Sequence, residues 1–336
     1  MAALPTELWA IVIEHDTTTP TLLSVCLVCH ALRIEAQQYL YRRVLDLTLR
    51  SQTIFLKTII DSPRLASYVR TFSIRVGLRM SPDYWDSLKS GFQAMVNLTE
   101  LLFSRYKGEP CAADLLVGVP FQLKTLLWGC LSDDGLLTFL TTQHELKNLI
   151  TYWGKFDMCL SRTPVPELSD FGGNLAALRL FLPGRRVRHV HLMMFANEDL
   201  ELSDPLREAL SFVSTFQISA SSPRPLLKDF GSALRNVEVL KIDGLMSADR
   251  LKNQVTLMPR LRRVVLSAGP RDLDHHYLDH DFMQAKYQVA LKKWLFENCE
   301  LLDIVEERNL GLDDDYLKWT RFSPHATASD GFVRGW

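Results

Sequence analysis

The sequence predicts an α/β chain in which short strands alternate with helices at a nearly constant spacing. Three observations carry that expectation. The 336 residues include 57 Leu, about 17% and roughly twice what an ordinary domain carries. A pattern of apolar-x-x-apolar-x-apolar recurs along the chain at regular distances. Between its occurrences the apolar residues fall at three and four spacing, the signature of one buried helical face.

The pattern begins with Val44/Leu47/Leu49, Val69/Phe72/Ile74, Leu98/Leu101/Phe103 and Leu123/Leu126/Trp128. Their starting positions differ by 25, 29 and 25 residues. After a weaker stretch holding Leu146/Leu149 and Leu175/Leu178/Leu180, it returns at Val187/Val190/Leu192, Val213/Phe216/Ile218, Val237/Leu240/Ile242 and Leu261/Val264/Leu266, now 26, 24 and 24 apart. A last candidate, Leu301/Ile304, follows an insertion rich in His and Asp. Such a period belongs to leucine-rich repeats, here without their usual Asn or Cys and so degenerate. Phe55/Ile59/Ile60, Leu115/Leu116/Val119 and, after Asp133-Asp134, Leu136/Leu137/Leu140 supply the intervening helices. Strand, helix and strand in so few residues give right-handed parallel crossovers. Stacked at a constant period, they give a curved solenoid with its parallel sheet on the concave side. Phe72, Leu101, Leu126, Val190, Phe216, Leu240 and Val264 are its expected inward residues.

Composition excludes several classes. Lys plus Arg number 38 and Asp plus Glu 39, a formal charge of −1, so bulk charge offers no polyanion-binding face and no nucleic-acid partner is expected. Cys26, Cys29, Cys111, Cys130, Cys159 and Cys299 are scattered, with no second C-x-x-C to complete a zinc site, which reads as a reducing compartment. Glu7 interrupts what a secretory leader would need as an apolar core. The longest apolar run, Leu22 to Cys29, is far short of the ~20 residues that span a bilayer, and no membrane partner is expected. Asn97-Leu98-Thr99 therefore reads as a turn rather than a glycan site. A doubly wound nucleotide-binding sheet is the alternative fold, but no G-x-G-x-x-G or G-x-x-x-x-G-K-[ST] follows any strand.

Residues 4–44 differ in character. Pro5 suits a first helical turn, and Leu8, Ile11, Val12 and His15 share one stripe. Thr19-Pro20 signals a second helix. A third, from Ala31 to Arg43, sets Leu32, Ala36, Tyr39, Leu40 and Arg43 at three and four spacing. Three helices this short cannot bury all their Leu and Val on one another, which suggests a partner surface.

Leu4-Pro5-x-Glu7-Leu8-Trp9, Val12-Ile13, Leu22-Leu23-x-Val25-Cys26-Leu27-Val28-Cys29, Leu32, Ala36, Leu40-Tyr41 and Val44 together resemble an F-box, in the variant common in basidiomycete fungi. The repeats behind it, with the turn Pro183-Gly184-Arg185-x-Val187, are similar to the divergent leucine-rich region of those proteins. The resemblance implies a three-helix F-box module at 1–43, a degenerate leucine-rich repeat domain at 44–310 and a tail at 311–336. It further implies a non-catalytic, cytoplasmic or nuclear substrate receptor of a cullin-RING ubiquitin ligase that feeds proteasomal degradation. The F-box would dock on a Skp-type adaptor and through it a cullin, and the repeats would hold a target protein. Leu4, Pro5, Ile13, Leu22, Leu23, Val28 and Cys29 carry over as adaptor contacts. No cofactor is implied. The alternative is a leucine-rich scaffold outside any ligase, its first helices serving as a cap.

Because side chains alternate along a strand, the residue between the last two apolar positions of each unit points to the concave face. Those residues are Ser73, Leu102, Leu127, His191, Gln217, Lys241 and Val265, with Ile150 continuing the row. Leu102, Leu127 and Ile150, near Tyr106 and Trp153 in sequence, form an apolar strip and with His191, Gln217 and Lys241 are the expected target contacts. The tail from Tyr316 to Trp336, with Trp319, Phe322, Phe332 and Trp336, is a candidate cover. Hydrolase signatures are absent: there is no G-x-S-x-G and no H-E-x-x-H. Asp272, Asp274, His275, His276, Asp279, His280 and Asp281 place His276 and His280 four apart, as a zinc pair would be, but read as a solvated insertion. Cys26 and Cys29 read as buried thiols, and Gly184 to His189 and Asp313 to Asp315 as solvated charged loops.

Overall fold

The computed structural model describes residues 11, 13, 18–45, 47–77, 80–105, 112–130, 133–151, 167–194, 202–220, 228–243, 248–268, 285–309 and 316–320. The chain forms two compact units, 1–167 and 168–336.

In the first unit, helices Thr19–Cys26 and His30–Arg42 lead directly into β1, Arg43–Val44. β2 (Thr71–Val76), β3 (Glu100–Arg105), β4 (Thr125–Gly129) and β5 (Asn148–Thr151) follow in spatial order, every neighbour parallel. Crossovers run through helices Leu49–Asp61, Pro63–Ala66, Pro82–Ala94 and Asp134–Thr141, with a 3₁₀ turn at Ala113–Leu116 between β3 and β4. Local chemistry sets the helix starts. Thr48 Oγ1 accepts from Ser51 N at 3.3 Å, Ser81 Oγ from Tyr84 N at 3.3 Å, and Asp133 Oδ1 from Leu136 N at 2.9 Å. Each satisfies a donor that the first helical turn leaves over.

The helices cover one face of this sheet. Phe72, Leu101, Leu126 and Leu149 lie in one register row and Ile74, Phe103 and Trp128 in the next, all buried. Phe55 stacks on Phe72 with centroids 5.4 Å apart, Phe92 packs edge-on to Phe72 at 6.2 Å, and Phe103 stacks on Trp128 at 4.9 Å. Burying such side chains supplies roughly 2 kcal/mol apiece. Tyr84 Oη donates to Gln52 Oε1 at 2.6 Å between two helices, and burial pushes that phenol up to about 12. Asn97 has a structural task, as a turn residue should: its amide donates to the Ser67 carbonyl at 2.8 Å.

The second unit repeats the scheme. β6 (Asp170–Gly173), β7 (His189–Met194), β8 (Thr215–Ala220), β9 (Val239–Asp243), β10 (Arg263–Ala268) and β11 (Ile304–Asn309) pair in that order, in parallel. β12 (Tyr316–Thr320), from the segment expected to be a tail, adds an antiparallel strand beside β11. Helices Leu175–Phe181, Asp204–Leu210, Lys228–Ala233, Ala248–Val255 and Ala285–Asn298 make the crossovers. Phe171, Val190, Phe216, Leu240, Val264 and Val305 form the buried row. All seven residues expected to point inward are thus buried, three in the parallel ladder of the first unit and four in that of the second. After helix Leu175–Phe181 the chain turns at Gly184, whose φ of 75° suits a residue without Cβ.

Several expectations are corrected. Leu175/Leu178/Leu180 is a helix, and the strand of that unit is the preceding Asp-Phe-Gly-Gly, with Phe171 as its inward side chain. The last unit is offset by one: Leu302 and Val305 are buried whereas Leu301 is exposed. Of the first match only Val44 is in a strand, since Leu49 already begins a helix. Ile60 is exposed and Leu56 takes its inward place. Arg185, expected in a solvated loop, is buried against the Phe181 carbonyl, and desolvation lowers its guanidinium to about 10.

Candidate binding surfaces

The first surface lies on the helices that precede β1. Ile13, Leu22 and Ala36 are their buried centre, edged by half-buried Val25, Cys26, Leu32, Tyr39 and Leu40. Among the described residues of the module, apolar neighbours of this centre lie outside it. Leu23 is 51% exposed, Leu27 82% and Val28 69%. Leu27 and Val28 occupy the turn between the two helices, so neither can reach the centre. Of the expected adaptor contacts, Ile13 and Leu22 are core, whereas Leu23, Val28 and Cys29 face outward; Leu4 and Pro5 lie outside the described residues. Cys29 corrects the expectation of a buried thiol. It is the extended residue capping helix His30–Arg42 (φ −159°, ψ 169°), off any helical stripe. Burial, opposed by nearby Arg33, raises the half-buried Cys26 thiol above its ordinary value.

The second surface is the sheet face opposite the helices in the first unit. Ser73, Leu102, Leu127 and Ile150 stand side by side in register, each partly exposed. At the rungs toward the strand starts, Thr71 Oγ1 donates to Glu100 Oε2 at 3.0 Å and Asn148 Nδ2 to Thr125 Oγ1 at 3.0 Å. Those polar groups satisfy one another and leave the aliphatic row as the unpaired feature. Toward the strand ends, Gly129 makes a low point beside Ser104, where an added Cβ would come within 3.0 Å of the Ser104 Cα. Tyr106 and Trp153 lie outside the described residues.

The third surface is the corresponding face of the second unit, where His191, Gln217, Lys241, Val265 and Glu306 share a row. Here the chemistry is polar and cross-linked. Ser219 Oγ donates to Asp243 Oδ2 at 3.0 Å, Gln217 Nε2 donates to the same oxygen at 2.5 Å, and His191 Nε2 lies 2.7 Å from Ser219 Oγ. With its own proton given to the carboxylate, Ser219 accepts from His191 Nε2–H. A serine so engaged is not poised as a nucleophile, because the imidazole supplies a proton instead of taking one. Desolvation lowers the His191 pKa, opposed by Asp243 and reinforced by Lys241. Arg263 holds Glu306 through two contacts of 2.7 and 2.6 Å. Glu306 and Val265 are only 3% and 2% exposed, so this face is covered toward β11. Ser219 and Asp243 were missed in the sequence. Each lies two residues beyond an expected contact, on the same strand face, and that alternation is the signal that could have found it.

Among the described residues, no cluster of three His, Cys, Asp or Glu side chains could hold a metal ion, and the His/Asp insertion from Asp272 to Asp281 lies outside them. No described helix is long and apolar enough to cross a membrane. No known family profile matches the chain. No curated protein matches it either.

Proposed function

We propose that the chain is the substrate-recognition subunit of a Skp-cullin-F-box ubiquitin ligase. It binds a Skp-type adaptor through the helices before β1 and a target protein through the sheet face, and performs no chemistry itself. The observation that supports this best is the exposure of Leu23, Leu27 and Val28 on a module in which the described residues bury Ile13, Leu22 and Ala36 as their centre. A partner that buries such side chains gains what the module cannot supply alone. The partly exposed row of Leu102, Leu127 and Ile150 supports a separate target surface in the same way.

Copurification with the adaptor tests the reading. Substituting Leu27→Ser together with Val28→Ser touches no buried contact, so the chain stays folded while adaptor binding weakens by a few decades in Kd. Leu4→Ala with Pro5→Ala gives the same loss. Wild-type copurification by both double variants overturns the ligase assignment and leaves a leucine-rich scaffold in its place.

A further inference from the structure

Arg75 stands on the same sheet face as the aliphatic row of the first unit. In β2, Phe72, Ile74 and Val76 are buried toward the helices, so alternation sends Ser73 and Arg75 the other way. Arg75 is exposed. Its carbonyl accepts from Gln52 Nε2 at 3.5 Å, whereas its guanidinium has no hydrogen-bond or ion-pair partner among the described residues. The carboxylate among the described strand residues of this face is Glu100. It lies in register with Thr71, four residues before Arg75, and accepts from the Thr71 hydroxyl. On the corresponding face of the second unit Arg263 is held by Glu306. Arg75 has no such counter-charge among the described residues.

The low point at Gly129 lies at the same level of the face. Arg75 pairs with Ser104, and Ser104 with Gly129. Gly129 brings no side chain, and an added Cβ there would come within 3.0 Å of the Ser104 Cα. Leu102 and Leu127, two residues before Ser104 and Gly129 on the same face, border it and are partly exposed. A cation, a hydroxyl and a low point with aliphatic borders thus lie in one line across β2, β3 and β4. The strand spacing makes that line about 9.6 Å long.

We infer that this line selects the target: it takes an extended segment of a partner protein in which an acidic and an aliphatic side chain stand two residues apart. The inference rests on the proposal that the open sheet face holds a target, and adds what that target must carry. Charge complementarity gives the acidic residue, because a carboxylate can accept two parallel bonds from a guanidinium. The low point between Leu102, Leu127 and Ser104 takes the aliphatic side chain, whose burial there is favourable in proportion to its apolar area. In an extended segment, side chains two apart face the same way and are about 6.6 Å apart. The length of the Arg75 side chain makes up the remainder. A wholly apolar segment would bury the guanidinium without a partner. A polyanion would lie over Leu102, Leu127 and Ile150 and meet Glu100.

The test is fluorescence anisotropy on the full chain with four peptides blocked at both ends. The first carries Glu and Leu two apart; the others have Gln for Glu, Lys for Glu, or Ala for Leu. The first binds most tightly, and added salt brings its affinity toward that of the Gln peptide. Arg75→Gln weakens binding of the Glu peptide about fivefold and leaves the Gln peptide unchanged. Arg75→Glu reverses the preference, so that the Lys peptide binds more tightly than the Glu peptide, a result that unfolding does not mimic. Lys89→Gln, exposed on helix Pro82–Ala94, changes nothing. Equal binding of the Glu and Gln peptides, equal binding of the Leu and Ala peptides, or no reversal in Arg75→Glu overturns the inference. If Leu102→Asp with Leu127→Asp abolishes peptide binding while Arg75→Gln does not discriminate, the target face stands and the inference about Arg75 falls. If that double Asp variant binds every peptide as the wild type does, both fall. Adaptor copurification, which Arg75→Gln leaves intact, reports separately on the ligase assignment.

Discussion

Tyr41 stacks on Phe55, their ring centroids 6.2 Å apart and their planes inclined by 26°. One ring closes helix His30–Arg42 and the other lies inside the first crossover helix, where Phe55 stacks in turn on Phe72 of β2. Arg64 Nη2 adds a hydrogen bond to Gln37 Oε1 at 2.8 Å. The helical module is thus wedded to the sheet through a continuous row of rings, and a partner held by its helices would be held at a fixed angle to the sheet.

Phe55→Ala breaks the middle of that row and is expected to destabilise the first unit by about 3 kcal/mol, read from denaturant unfolding. Tyr41→Phe keeps the ring and should cost little, while Tyr41→Ala should cost clearly more. Equal losses from the two Tyr41 variants would assign the effect to the hydroxyl and refute the stacking account.

On the proposed receptor function, Leu102→Asp with Leu127→Asp on the open face should eliminate target capture while adaptor binding persists. Both side chains are partly exposed and stand on neighbouring strands, so carboxylates there remain hydrated but repel each other and any apolar ligand. Thermal unfolding run in parallel separates the outcomes. Retained capture moves the target site elsewhere, and joint loss with a fallen Tm signals unfolding.

The parallel ladder was legible because large apolar residues at a steady period have one economical arrangement. Phe72, Leu101, Leu126, Val190, Phe216, Leu240 and Val264 all lie where alternation puts them. β6 escaped because Asp-Phe-Gly-Gly offers a single apolar side chain; its place is set by pairing with β7, which no local pattern encodes. The shift from Leu301 to Leu302 has a similar cause: adjacent leucines satisfy either register, and Val305 decides against Ile304 because Val264 lies opposite it. The Gln217–Asp243–Ser219–His191 network joins three strands. Contacts of that kind come from register, so they are invisible until strands are paired.

Leu240 provides a test of how packing spreads through the repeats. It is buried in the middle of β9, between Phe216 and Val264. Leu240→Ala should cost about 2–5 kcal/mol. In a stack where each unit contacts mainly its neighbours, amide exchange should quicken most in β8, β9 and β10 and leave β2 to β4 nearly unchanged. Uniform acceleration across all strands would show global cooperativity instead.

His191 gives the second unit a pH dependence with a definite sign. Its folded pKa lies below the ordinary 6.5, chiefly through burial, so the unfolded chain binds a proton more readily than the folded one. Stability therefore rises with pH wherever that difference in bound protons exists. It should be constant for this group above about 6.5 and fall as the solution is acidified below that value, before most carboxylates titrate. His191→Gln retains a donor toward Ser219 but cannot titrate. Its Tm should change less between pH 7 and about 5.5 than that of the wild type. The groups nearest the imidazole are Ser219, Asp243 and Lys241, and their electrostatic effects are of opposite sign, so desolvation governs the direction. A wild-type Tm that rises on acidification over that interval, or a variant with an identical slope, would show that proton binding at His191 does not contribute in this way.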